Sequence, residues 1–151
     1  MKSSFSVSLR YGFFVTASLI AYFLVLRLFG LHENPWLRMF NGVAMAIGIY
    51  YAIKVYKLMV GDAFTYTDGF KTGLITGFIA TILFTIFMAI YMFHIDPAFT
   101  QKLLGDWFSN YGQGAGILVF IILVEGLSST VILTLTFMQI FKNSNNLSQK
   151  K

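Results

Sequence analysis

Apolar residues dominate four long stretches of this chain, at about 11–31, 37–56, 72–93 and 116–141, and short polar clusters separate them. A helix rises about 1.5 Å per residue, so roughly 20 residues cross a hydrocarbon core of about 30 Å. Each stretch meets that length. The pattern predicts an all-α integral membrane four-helix bundle occupying residues 1–151 as one domain. The first stretch follows Lys2 and Arg10, as a signal peptide would, but Phe29-Gly30-Leu31 offers no small-x-small cleavage site. A retained span is expected.

The polar connections carry their own signals. His32-Glu33-Asn34-Pro35 separates spans one and two. Residues 61–70 form a turn-like connection in which Thr67 or Asp68 is the expected cap of span three. After span three, Asp96-Pro97 supplies an N-cap followed by proline at the first helical position. Phe99, Leu103, Leu104, Trp107, Phe108 and Tyr111 then recur at helical spacing. The expected element is a short amphipathic helix over about 97–109 lying in the membrane interface. A glycine-rich turn, 112–116, leads into span four.

Composition agrees with a lipid-embedded chain. Hydrophobic residues make up 57% and charged residues 11%, with mean hydropathy +0.72, whereas soluble domains carry about a quarter charged residues. The absence of cysteine excludes disulfides and thiolate chemistry. A formal charge of +5 does not point to nucleic acid, because the basic residues flank the apolar runs. Lys2, Arg10, Lys54, Lys57, Lys71, Lys142, Lys150 and Lys151 fall on one side, against Arg27, Arg38 and Lys102 on the other. By the positive-inside rule both termini are expected in the cytoplasm.

Two rows of side chains are candidates for specific roles. Gly69, Gly73, Gly77, Thr81, Thr85 and Ala89 recur every four residues along span three, and small-xxx-small rows let helix backbones approach closely. Ala44, Gly48 and Ala52 repeat the pattern in span two. Span four carries Glu125, Ser128, Ser129, Thr136 and Gln139, which at about 100° per residue share one stripe with Ile132. Polar stripes are expected inside a bundle, away from lipid. Arg27 leans inward along span one and Glu125 outward along span four, so the two are expected to pair within the membrane. Arg27 snorkelling to the interface, with Glu125 bonded to a Ser or Thr hydroxyl, is the alternative.

Other chemistry is thin. His32 and Glu33, with His94 and Asp96, lie on one side of the bundle and hold metal-ligating groups, but their spacing matches no recognised motif, so no metal or other cofactor is expected. No phosphate loop, nucleophile elbow or His-Glu-x-x-His is present in the sequence. The phrase Gly61-Asp62-Ala63-Phe64-Thr65-Tyr66-Thr67-Asp68-Gly69-Phe70-Lys71-Thr72-Gly73, with Ile95-Asp96-Pro97-Ala98-Phe99 after span three, resembles a domain-of-unknown-function family of short four-span bacterial membrane proteins. That resemblance implies an inner-membrane location and no established activity. The expected role is a non-enzymatic membrane component or accessory subunit, with the bilayer and a homodimer or larger membrane complex as partners. A small oligomeric transporter or channel using the stripe around Glu125 is the alternative.

Overall fold

The computed structural model describes residues 4–32, 34–104 and 114–141. Helices α1 (Ser4–Leu28), α3 (Phe40–Val60), α4 (Tyr66–Ile90) and α6 (Gly114–Phe141) form the bundle, and α2 (Pro35–Arg38) and α5 (Pro97–Leu104) are short connecting helices. Four helical stretches, Ser4–Leu28, Trp36–Ala63, Tyr66–Ile95 and Gly114–Phe141, are long and apolar enough to cross a membrane. No strand occurs among the described residues. The end where α1 starts and α6 finishes is called proximal, and the opposite end distal.

Helix boundaries follow capping chemistry more closely than hydropathy. α1 begins seven residues before the apolar stretch, because Ser4 to Arg10 continue the helix beyond its apolar part. It stops at a glycine: Gly30 adopts φ 69°, its N–H bonds the Arg27 carbonyl, and the Leu31 N–H bonds the Leu26 carbonyl. This left-handed closure satisfies carbonyls that the helix end would otherwise expose. α4 is capped by Thr65, not by Thr67 or Asp68. The Thr65 backbone is extended and its hydroxyl oxygen accepts the Asp68 N–H, while the hydroxyl donates back to the Asp68 carboxylate at 2.8 Å. α4 therefore starts six residues before the apolar run does.

At the distal end α4 widens into a π-helical turn, Tyr91–Ile95, that hydropathy gave no hint of. The turn feeds Asp96, whose side chain accepts the Phe99 N–H at 3.1 Å and so caps α5 ahead of Pro97. The predicted interfacial helix begins at Pro97 and is described to Leu104; residues 105–109 of that expectation, with Trp107 and Phe108, lie outside the described residues.

α4 is the central element. It packs on α1, α3 and α6, while α1 and α6 each pack on both α3 and α4 but not extensively on one another. Gly48 of α3 brings its backbone against the Val15 side chain of α1. The seam between α4 and α6 is tighter still. A Cβ placed on Gly69, Gly73 or Gly77 would run into Met138, Thr134 or Thr130 of α6, and one placed on Gly126 would meet Thr81. With no hydrophobic drive between helices in lipid, this close van der Waals approach is what holds them. The proximal end is tied further by Lys57, which donates to the carbonyl of Phe141 at 2.8 Å and so places a cation at the carboxyl end of α6. Tyr50 of α3 packs its ring on Phe137 and Phe141 of α6, at 5.6 and 5.2 Å.

Candidate ligand cavity

Above that seam α3 and α6 part, and a cavity of about 270 Å³ opens among α1, α3, α4 and α6 in the distal half. Its deepest lining positions are Leu19, Met45, Thr81 and Ser129, and Phe99 and His32 reach it from the distal connections. Most of the wall is apolar and includes Phe23, Phe84, Met88, Met92 and Leu118. Phe23 is fixed by edge contacts to Tyr91 at 4.8 Å and to Phe99 at 6.0 Å, and His32 stacks on Phe99 at 4.9 Å. The aromatic cluster therefore roofs the space with a rigid surface.

Four residues of the cavity lining each carry a buried side-chain atom with no hydrogen-bond partner among the described residues: His32 Nδ1, Asn41 Oδ1, Thr81 Oγ1 and Thr85 Oγ1. Thr81 and Thr85 are 3% and 6% exposed. A buried polar group left unpaired costs about 1–3 kcal/mol, and four of the six such atoms among the described residues belong to residues that line this cavity. Arg38 and Glu125 also line the space, 3.9 Å apart, and link α2 to α6 across the gap between α3 and α6.

Several sequence expectations are corrected here. Glu125 faces Arg38, not Arg27. Arg27 instead lies over the Tyr91 ring at 4.9 Å, because its position on α1 turns it toward the distal end of α4. The polar stripe does not point into the bundle. Glu125 is 64% exposed in its side chain, and Ser128, Thr136 and Gln139 are exposed; only Ser129 is half-buried, beside the cavity. The opposite face of α6, with Thr130, Thr134, Met138 and Phe141, is the buried one. The glycine row of α4 offers a groove that accepts threonine methyls, and Thr130 returns its hydroxyl to the Gly126 carbonyl at 2.8 Å. Packing that face requires no desolvated carboxylate, so the competition between faces goes to the threonines.

The remaining candidates are dispersed. Gly69, Gly73, Gly77 and Thr81 form the α4 side of the seam with α6. Asp96 caps α5 and accepts the Tyr91 hydroxyl at 3.2 Å, His94 is exposed, and Glu33 lies outside the described residues. Among the described residues no group of three His, Asp or Glu is placed to hold a metal ion. Sequence reasoning missed Asn41 and gave Arg38 only a topological role. The signal was present: both are polar residues within a turn of each other at the start of the second apolar run.

Four membrane-length helices around a mostly apolar cavity define a polytopic α-helical membrane protein. Residues 10–107 match the family described as protein of unknown function DUF4199, and the chain belongs to that family. The matched segment takes in α2 to α5 and most of α1, and α6 lies beyond it. No curated protein and no solved structure matches the chain.

Proposed function

We propose that this protein is a non-enzymatic membrane component whose distal cavity binds an amphiphile with an uncharged head bearing hydroxyl or carbonyl groups. The observation that carries this reading is that four residues with unpartnered polar atoms line a cavity whose walls are mostly apolar. Sites for small molecules are mostly apolar with a few polar groups that fix orientation. The threonine hydroxyls donate or accept, the Asn41 carbonyl accepts, and the imidazole does either according to its tautomer. Arg38 and Glu125 offset one another, so the site carries no net charge to select an ion. The gap between α3 and α6 gives such a ligand a lateral way in from the bilayer.

The experiment is binding of a short-chain monoacylglycerol to the purified full-length protein in nanodiscs, followed by native mass spectrometry. Thr85→Val and Asn41→Leu should each weaken retention about tenfold, the effect of losing roughly one hydrogen bond, 1.4 kcal/mol. Unchanged retention in both variants rejects the reading. The transporter alternative receives support from the depth of the cavity, which reaches Thr81 near the middle of α4. Flux of the same amphiphile in proteoliposomes, abolished by Thr81→Leu, separates transport from binding alone.

The cytoplasmic placement of the proximal end in an inner membrane is part of the same proposal, supported by the excess of lysine and arginine there. A reporter fused after Lys151 should be active only in its cytoplasmic form.

A further inference from the structure

The helices around the cavity are tied to one another unequally. Tyr22 of α1 donates its hydroxyl to the Leu37 carbonyl at 2.9 Å, and nearer the proximal end Val15 of α1 packs on Gly48 of α3. The α1 side is therefore fastened both above and below the cavity. α4 meets α6 at the cavity wall, where Thr81 packs on Gly126. Between α3 and α6 the contacts of Lys57 and Tyr50 belong to the proximal half. In the distal half Arg38 and Glu125 span the gap, 3.9 Å apart.

That link is loose. A well-formed hydrogen bond between guanidinium and carboxylate spans about 2.7–2.9 Å, and these two side chains are 32% and 64% exposed. Exposed pairs hold weakly. Arg38 ends α2 and joins α3 through Met39 alone, while Leu37 beside it is anchored to α1. The backbone at this point is fixed and the arginine side chain is the part free to swing. Gly42, one turn further on, lines the cavity and is exposed, and a Cβ added there meets nothing within 4 Å. The rim next to the pair is open.

From these observations we propose that the Arg38–Glu125 pair is a latch on a lateral portal between α3 and α6, through which the amphiphile exchanges with the bilayer. The inference rests on the binding reading above and adds to it the route and its control. A head with hydroxyl and carbonyl groups can pass the pair without leaving either charge bare. Its carbonyl accepts from the guanidinium, and its hydroxyl donates to the carboxylate. The acyl chain stays among apolar groups throughout, because the portal faces the bilayer, so the ligand never crosses water. Once the head has passed, the pair re-forms behind it.

The chain has no cysteine, so Arg38→Cys combined with Glu125→Cys can be bridged by a short bis-methanethiosulfonate in the full-length protein. In nanodiscs loaded with a short-chain monoacylglycerol, its exchange for the deuterated form is followed by native mass spectrometry before and after bridging. Bridging should slow exchange by about tenfold or more, and a reductant should restore it. Arg38→Ala, which removes the latch, should exchange about threefold faster than the parent, the effect of losing a weak exposed pair. Gly42→Trp, which fills the rim and leaves the pair in place, should slow exchange as the bridge does. Exchange unaffected by bridging, or unaffected by Gly42→Trp, would put the ligand's route elsewhere and overturn the latch while the binding reading stands. Failure of the parent protein to retain any monoacylglycerol would overturn the binding reading and the latch with it.

Discussion

The proximal seam between α4 and α6 and the distal cavity are lined by the same residue type used to opposite effect. In the seam, Thr130 and Thr134 press their side chains onto Gly77 and Gly73 with no room to spare. Beside the cavity, Thr81 and Thr85 of α4 carry buried hydroxyls with no partner among the described residues, and Thr81 packs on Gly126 at the upper limit of the seam. The difference is made by the neighbours. Below, glycines face threonines and the backbones close up; above, the described parts of α3 and α6 line a cavity. One half of the bundle is closely packed and the other encloses a cavity.

The largest effect is expected where the seam is tightest. Gly77→Leu must push the rigid, β-branched Thr130 out of the groove, and overpacking of this kind costs about 1–3 kcal/mol. Thermal unfolding in detergent should drop sharply for this variant. The same substitution in the open, exposed Gly42 beside the cavity, where an added Cβ meets nothing, should leave the melting temperature near that of the parent. Equal losses at the two glycines would erase the contrast between the halves.

The ion pair gives a smaller, more discriminating effect. A pair at 3.9 Å between groups 32% and 64% exposed is worth about 0.5–1 kcal/mol. A double-mutant cycle of Glu125→Ala with Arg38→Ala should return a coupling of that size. The cycle with Arg27→Ala should return none, since Arg27 rests on Tyr91. Coupling to Arg27 and not to Arg38 would restore the pairing expected from side-chain lean along the helices.

That failure marks the boundary of what the sequence discloses. Hydropathy placed the four spans, and the Asp96-Pro97 pair placed the start of α5, because both signals are local. The four-residue glycine row was visible as well, since small residues at that spacing have few other uses in a bilayer. Which face of α6 turns inward was not visible. It depends on whether the α4 groove prefers Thr130 and Thr134 or Glu125 and Ser128, a competition between two helices. Rotation of one helix about its axis also decides the partner of Glu125, so one error produced the other. The π-helical turn at Tyr91–Ile95 and the parting of α3 from α6 are tertiary effects of the same kind, and the cavity they create was therefore out of reach.

The smallest expected effect separates two threonines four residues apart on α6. Thr130 returns its hydroxyl to Gly126, whereas Thr134 Oγ1 is buried without a partner. Thr134→Val keeps the shape and removes an unpaired polar atom, so stability should hold or rise by up to about 1 kcal/mol, while Thr130→Val should lose a similar amount. Chemical denaturation in mixed micelles resolves differences of that order. A loss at Thr134 as large as at Thr130 would mean that its hydroxyl is satisfied in the folded protein.

The contrast between a dry seam and an open cavity is tested most directly by thiol accessibility in membranes. Thr85→Cys places a thiol at the cavity wall and Thr76→Cys places one in the closed proximal half, where Thr76 is fully buried and bonded to the Thr72 carbonyl. Treated with a small methanethiosulfonate reagent, Thr85→Cys should label readily and Thr76→Cys should stay protected until the protein is unfolded. Protection at both positions, or labelling at both, would contradict a bundle divided into a closed half and an open one.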